Sequence, residues 1–207
     1  MVKVKICGLQ TIADVEAVNR AMPDYAGFIF VPGRRRYIEP GEAERIRRHL
    51  SPGIRSVGVF LNAPIEMILS VLEAVNLDVI QLHGEESNAY IRELRKCLSG
   101  KFPGAEYLII KAFRVVEQED LEPARHSDAD IVLLDAGAGG GKTFDWRLIG
   151  DMGRPYFLAG GLRPENVRAA IGKLHPYGVD VSSGVETGGR KDPEKIRHFM
   201  INERGIL

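Results

Sequence analysis

LLDAGAGGGKTFDW, residues 133–146, admits two readings that lead to different folds. Ala136 followed by Gly141-Lys142-Thr143 fits the relaxed form of a phosphate-cradling nucleotide loop, and an apolar run over 131–134 leads straight into it, as such a loop requires. The same run ends in Asp135, a polar residue at the tip of a buried strand, where a reactive group is displayed. A nucleotide loop also needs a sustained helix behind Thr143 with its N-terminus on the phosphates. Residues 144–149 run for only a turn or two before Gly150 and Gly153. Asp135 therefore outweighs Lys142 and Thr143, and no specific ATP site is expected.

The elements flanking this segment decide the fold. Short β-rich runs recur at 2–7, 25–30, 55–60, 78–82, 107–111, 130–135, 156–160 and 178–182. Between them lie helical patterns with start signals. Thr11 precedes one, Ser87 another, Pro40, Pro64 and Pro164 each open one, and Asp192-Pro193 opens the last. Ser, Thr or Asp at the cap, or Pro in the first turn, suits the unpaired N–H groups of a helix start. The fifth and sixth helical segments, near 117–127 and 145–151, are short and weakly patterned. Strand–helix alternation implies a parallel sheet with right-handed crossovers, and eight units imply one compact (β/α)8 TIM barrel in a single α/β domain over residues 1–207. The rival, an open doubly wound sheet, holds fewer strands and carries its Gly-rich loop early; here the Gly-rich turns come late.

Bulk properties narrow the function. A chain of 207 residues buries roughly 70% of its unfolded surface without a covalent staple. The 28 basic and 28 acidic side chains balance, so no overall field attracts nucleic acid or anionic membrane. Cys7 and Cys97 are too few for a disulfide framework. No apolar run approaches the roughly 20 residues of a membrane span or resembles a signal segment. A reduced, cytoplasmic protein is expected, working as a monomer, with a dimer as the alternative.

Side chains alternate across a strand, and in a barrel the outer face packs against helices and is the more strictly apolar. Lys5 and Cys7 then point inward from the first strand, Gln81 and His83 from the fourth, Lys111 from the fifth, Asp135 from the sixth and Asp180 from the eighth. All sit at or near the C-terminal ends of their strands, the catalytic face of this architecture. Singly, each reads as a buried ion pair or, for Cys7, a small hydrophobe; together they read as a site. Gly-rich turns at 159–162 and 182–188 follow the seventh and eighth strands, where phosphosugar barrels grip phosphate with clustered backbone N–H groups. Arg34-Arg35-Arg36 follows the second strand; a basic triplet is usually a solvated loop, but one guanidinium at the rim can bind a carboxylate in bidentate fashion.

KICG (5–8), FxxxPGRRRYIEP (28–40), GVFLN (58–62), QLHGEES (81–87), LLD (133–135), GKTFDW (141–146), LAGGLRPENV (158–167) and GVDVSSGVE (178–186) resemble, in order and over the whole chain, the signature blocks of the phosphoribosylanthranilate isomerase family of tryptophan biosynthesis. AGAGG (136–140) departs from a family loop that varies in length and composition. The resemblance implies Cys7 as general base, Asp135 as general acid and Arg36 as binder of the anthranilate carboxylate. It implies a phosphate held by main-chain N–H groups around Gly160, Gly161, Ser183 and Gly184. His83 and Asp180, on the same rim, are assigned to substrate binding. The implied reaction is an Amadori rearrangement. Asp135 protonates the furanose oxygen and opens the ring to a Schiff base, and Cys7 as thiolate takes the C2' proton. The substrate's own nitrogen is the electron sink, so no metal, cofactor or lysine imine is expected. Burial near an anion would raise Asp135 and a cation such as Lys5 would lower Cys7. The alternatives are another phosphosugar isomerase or lyase using Lys5 or Lys111 as a Schiff-base nucleophile, and a barrel that only binds a phosphosugar.

Overall fold

The computed structural model describes residues 1–135 and 149–204. Within them eight parallel strands close a barrel in sequence order: β1 (Lys3–Cys7), β2 (Tyr25–Ile29), β3 (Arg55–Phe60), β4 (Val79–Leu82), β5 (Leu108–Arg114), β6 (Ile131–Asp135), β7 (Tyr156–Ala159) and β8 (Gly178–Val181). β8 returns to β1 with Lys5 opposite Asp180, which closes the ring. The helices among the described residues are α1 (Ile12–Ala21), α2 (Pro40–Arg47), α3 (Ile65–Ala74), α4 (Asn88–Lys101), α5 (Leu121–Arg125), α6 (Val167–Leu174) and α7 (Pro193–Arg204). No helix among the described residues is long and apolar enough to cross a membrane.

The helix starts follow their signals. Thr11 caps α1 by accepting from the Asp14 N–H, and Asp14 returns the bond to the Thr11 N–H, so two orphan donors are satisfied reciprocally. Ser87 accepts from the Tyr90 N–H at α4. The fifth helical segment is short, as expected, a 3₁₀ turn leading into the five residues of α5. The sixth, near 145–151, lies mostly outside the described residues. α6 starts three residues later than Pro164 suggests. Asn166 folds back to accept from the Arg163 N–H at 2.8 Å and to donate to the Gly161 carbonyl at 3.0 Å. Pro164 therefore belongs to a turn that braces the loop after β7.

Two apolar clusters show which way each strand faces. Val4, Ile6, Ile80, Ile109, Val132 and Leu134 pack outward against the helices. Cys7, Tyr25, Val57, Val79, Ile110, Ala112, Leu133 and Phe157 fill the barrel interior. Lys111 therefore does not point inward. It alternates with Ile110 and Ala112 and lies on the outer face, where its Nζ donates to the Gly84 carbonyl at 2.6 Å and pairs with Glu86 at 3.4 Å. β5 also runs to Arg114, beyond the expected end at 111, because Ala112, Phe113 and Arg114 find partners in Leu133, Leu134 and Asp135 of β6.

Candidate active site

A cavity of about 550 Å³ opens at the C-terminal ends of the strands. Its floor and walls include Cys7, Gln81, His83, Asp135 and Asp180. Arg36, Gly160, Gly161, Ser183 and Gly184 complete the rim. The nine residues assigned to the site from the sequence are thus brought to one place. Gln81, read as inward, joins them; Lys111 does not.

Cys7 ends β1 facing inward and is 6% exposed. Its register partner across the sheet is Gly27. A Cβ there would stand 2.8 Å from the Cys7 Sγ and 3.1 Å from its Cα, so only glycine leaves room for the thiol. Lys5 is wholly buried and its Nζ donates to Asp180 Oδ1 at 2.9 Å. Burial alone would lower the Lys5 ammonium, but Asp180 and Cys7 hold it above its ordinary value. Burial pushes the Cys7 thiol up, and the pull of Lys5 only partly offsets it. The cation expected to lower Cys7 is present, then, yet desolvation wins.

Asp135 ends β6, with His83 Nε2 3.5 Å from its Oδ2. The other ring nitrogen, Nδ1, lies 2.9 Å from the Gln81 amide nitrogen. His83 thus stands between Gln81 and Asp135, one ring nitrogen toward each.

At the mouth, Arg36 spends two of its three guanidinium nitrogens on Glu186, Nε to Oε1 at 2.7 Å and Nη2 to Oε2 at 3.0 Å. Arg35 also reaches Oε2, at 2.5 Å, and Lys191 reaches Oε1 at 2.9 Å. Burial would raise Glu186, but Arg36, Arg35 and Lys191 outweigh it and hold the carboxyl at about 2. Three cations thus surround one buried carboxylate beside the mouth.

Glu186 and Lys191 were not singled out from the sequence. They sit on a two-stranded ribbon, β9 (Glu186–Thr187) and β10 (Arg190–Lys191), that follows a 3₁₀ turn, Ser183–Val185. The signal was Gly188-Gly189, both at positive φ, a two-residue hairpin turn at the end of the stretch 182–188 that was read only as Gly-rich. Gly184 has a further reason: a Cβ on it would lie 1.8 Å from the Leu162 carbonyl oxygen, so the loops after β7 and β8 touch backbone to backbone there.

The nucleotide-loop residues Gly141, Lys142 and Thr143, and the AGAGG stretch, lie outside the described residues. Among the described residues no three His, Cys, Asp or Glu side chains converge as metal ligands.

Residues 4–202 match the family model for N-(5'phosphoribosyl)anthranilate (PRA) isomerase. The N-(5'-phosphoribosyl)anthranilate isomerase of Acetivibrio thermocellus is 43% identical over 212 residues, covering 99% of this chain and 96% of its own. The Thermotoga maritima enzyme, solved as monomers generated from a dimeric form, superposes with a TM-score of 0.87 at 41% identity, over 100% of both chains. A phosphoribosyl anthranilate isomerase solved with reduced 1-(o-carboxyphenylamino)-1-deoxyribulose 5-phosphate gives 0.85 at 41% identity, again over 100% of both chains.

Proposed function

Because the chain belongs to the N-(5'-phosphoribosyl)anthranilate isomerase family, we propose that Cys7 is the general base and Asp135 the general acid of its reaction. That reaction converts N-(5'-phosphoribosyl)anthranilate to 1-(2-carboxyphenylamino)-1-deoxyribulose 5-phosphate in tryptophan biosynthesis. The observation that carries the assignment is that Cys7 of β1 and Asp135 of β6 line the same cavity at the C-terminal ends of their strands.

The steps follow from the groups. Asp135 donates its proton to the ring oxygen, the C1'–O bond breaks, and the nitrogen lone pair forms the C1'=N bond of an iminium. Cys7 as thiolate takes the C2' proton. The C2'–H electrons form the C1'=C2' bond and the iminium π pair returns to nitrogen. The resulting enolamine becomes the ketone by gaining a proton at C1' and losing one from the C2' oxygen. Each positioned acid or base contributes roughly 10²–10⁴-fold.

Binding divides between the two ends of the cavity. Backbone N–H groups around Gly160, Gly161, Ser183 and Gly184 take the phosphate; the leading N–H groups of the Ser183–Val185 turn have no partner within the turn. Arg36, backed by Arg35 and Lys191, takes the anthranilate carboxylate through the edge not committed to Glu186. His83 and Asp180 contact the sugar between these ends. All nine assigned residues lie around one cavity of a single barrel, which supports a monomeric working unit. Cys7 and Cys97 are free thiols, which suits a cytoplasmic, reducing setting.

The competing Schiff-base reading loses its nucleophiles. Lys5 is wholly buried in its pair with Asp180, and Lys111 faces away from the cavity. The test is a fluorescence assay on freshly made N-(5'-phosphoribosyl)anthranilate without added cofactor. Turnover that persists in chelator is expected. A folded protein that binds the product analogue but shows no turnover would make this a binding barrel.

A further inference from the structure

Among the described residues that line the cavity, Gln81 has a buried polar atom without a partner. It sits on β4 between Ile80 and Leu82, which pack outward, so its own side chain points into the barrel. It is 1% exposed. Its amide nitrogen lies 2.9 Å from His83 Nδ1. Its carbonyl oxygen, Oε1, is buried without a hydrogen-bond partner. Buried acceptors in native structures are nearly always satisfied, and an exception calls for an absent donor.

We propose that Gln81 binds the substrate and positions the acid: Oε1 accepts a hydrogen bond from a sugar hydroxyl or the amine N–H, while Nε2 fixes His83 against Asp135. The second half follows from hydrogen-bond polarity. An amide nitrogen only donates, so His83 Nδ1 accepts, and neutral His83 then carries its proton on Nε2. That is the nitrogen 3.5 Å from Asp135 Oδ2. The N–H stands ready for the carboxylate that Asp135 becomes once it has protonated the ring oxygen. Gln81 thus favours ring opening through His83, and substrate supplies the donor that its own oxygen lacks.

This deepens the acid–base reading of the same cavity and rests on it for the role of Asp135. Two variants separate the halves. Gln81→Met matches the side chain in length and volume and removes both polar ends. It should weaken binding of reduced 1-(o-carboxyphenylamino)-1-deoxyribulose 5-phosphate by about tenfold, the scale of one lost hydrogen bond, and lower kcat further. Its melting temperature should not fall, because an unpaired buried acceptor has been removed. Gln81→Glu keeps acceptors and loses the N–H donor, so affinity should hold while the pH profile of kcat shifts. Analogue affinity and pH profile both within twofold of wild type in Gln81→Met, or in Gln81→Glu an unchanged profile, would overturn the proposal. Cys7→Ser and Asp135→Asn are run alongside. Undiminished turnover in those two would sink the acid–base reading instead, and leave the affinity result for Gln81 standing on its own.

Discussion

At Cys7, burial and a neighbouring cation oppose each other, and burial prevails. The resting group is a thiol, so a reaction that uses the thiolate should quicken as pH rises. The expected outcome is a rising limb in log kcat/KM on the alkaline side of neutrality, absent from any residual activity of Cys7→Ser. Cys7→Ser itself should nearly abolish turnover while keeping affinity for the product analogue, since a hydroxyl is far too weak an acid to ionise there; wild-type-like turnover would remove Cys7 from the mechanism. Gly27→Ala asks whether the thiol's seat matters. Its Cβ would press on the Cys7 Sγ from 2.8 Å, and kcat should fall at least tenfold, with steady-state kinetics as the check. Residue placement was legible where a strand has contrast. KVKIC alternates charge or sulfur with branched apolar residues, and Cys7 falls inward as read. LIIKAFR has one lysine among apolar neighbours, so parity had nothing to register against. Lys111 was placed by its polarity, and it lies on the outer face with Glu86.

At the scale of elements, the ribbon of β9 and β10 braces Arg36 at the cavity mouth. Glu186 holds Arg36 in a two-point pair and is itself held at about 2 against an ordinary 4.5. A carboxyl whose folded pKa is depressed stabilises the fold above its unfolded pKa. The contribution is therefore full above about 4.5 and fades as pH falls toward 2. Glu186→Gln should lower the melting temperature at neutral pH, flatten the loss of stability below pH 4.5, and raise KM more than it lowers kcat, because Arg36 loses its brace. Thermal melts across pH, paired with kinetics, check all three. The loops after β7 and β8, where the phosphate is proposed to bind, are the second such element. Gly184→Ala would force a Cβ to within 1.8 Å of the Leu162 oxygen, so the loops must part; affinity for phosphate ligands should drop at least tenfold while the barrel still melts cooperatively. Most elements could be read from caps and alternation. The ribbon was missed because its strands have two residues each, too short for periodicity. The start of α6 was misplaced because Asn166 spends its side chain on Arg163 and Gly161.

For the whole molecule, the closing seam of the barrel runs beneath the cavity that Asp180 lines. Lys5 and Asp180 are register partners where β8 meets β1, and their ion pair is almost wholly buried. Breaking one side of such a pair costs about 3–5 kcal/mol, so Asp180→Asn should show a large drop in denaturant midpoint beyond any effect on rate. Equilibrium unfolding measures it; an unchanged midpoint would make the pair incidental to closure. Barrel closure was legible because eight strand-like runs alternate with helical patterns along the chain, more than the five or six of a usual doubly wound sheet, and because the Gly-rich turns come late. The stretch that first suggested a nucleotide loop follows β6 immediately, and its strand supplies Asp135 at the cavity. Asp135→Asn tests the acid, with kinetics, product-analogue affinity and a thermal melt on one preparation. The shape stays and the transferable proton goes. Turnover should fall by roughly 10²–10⁴-fold, with affinity and melting temperature close to wild type. A large fall in melting temperature with turnover intact at low temperature would contradict it, making Asp135 a structural residue and leaving ring opening to another group.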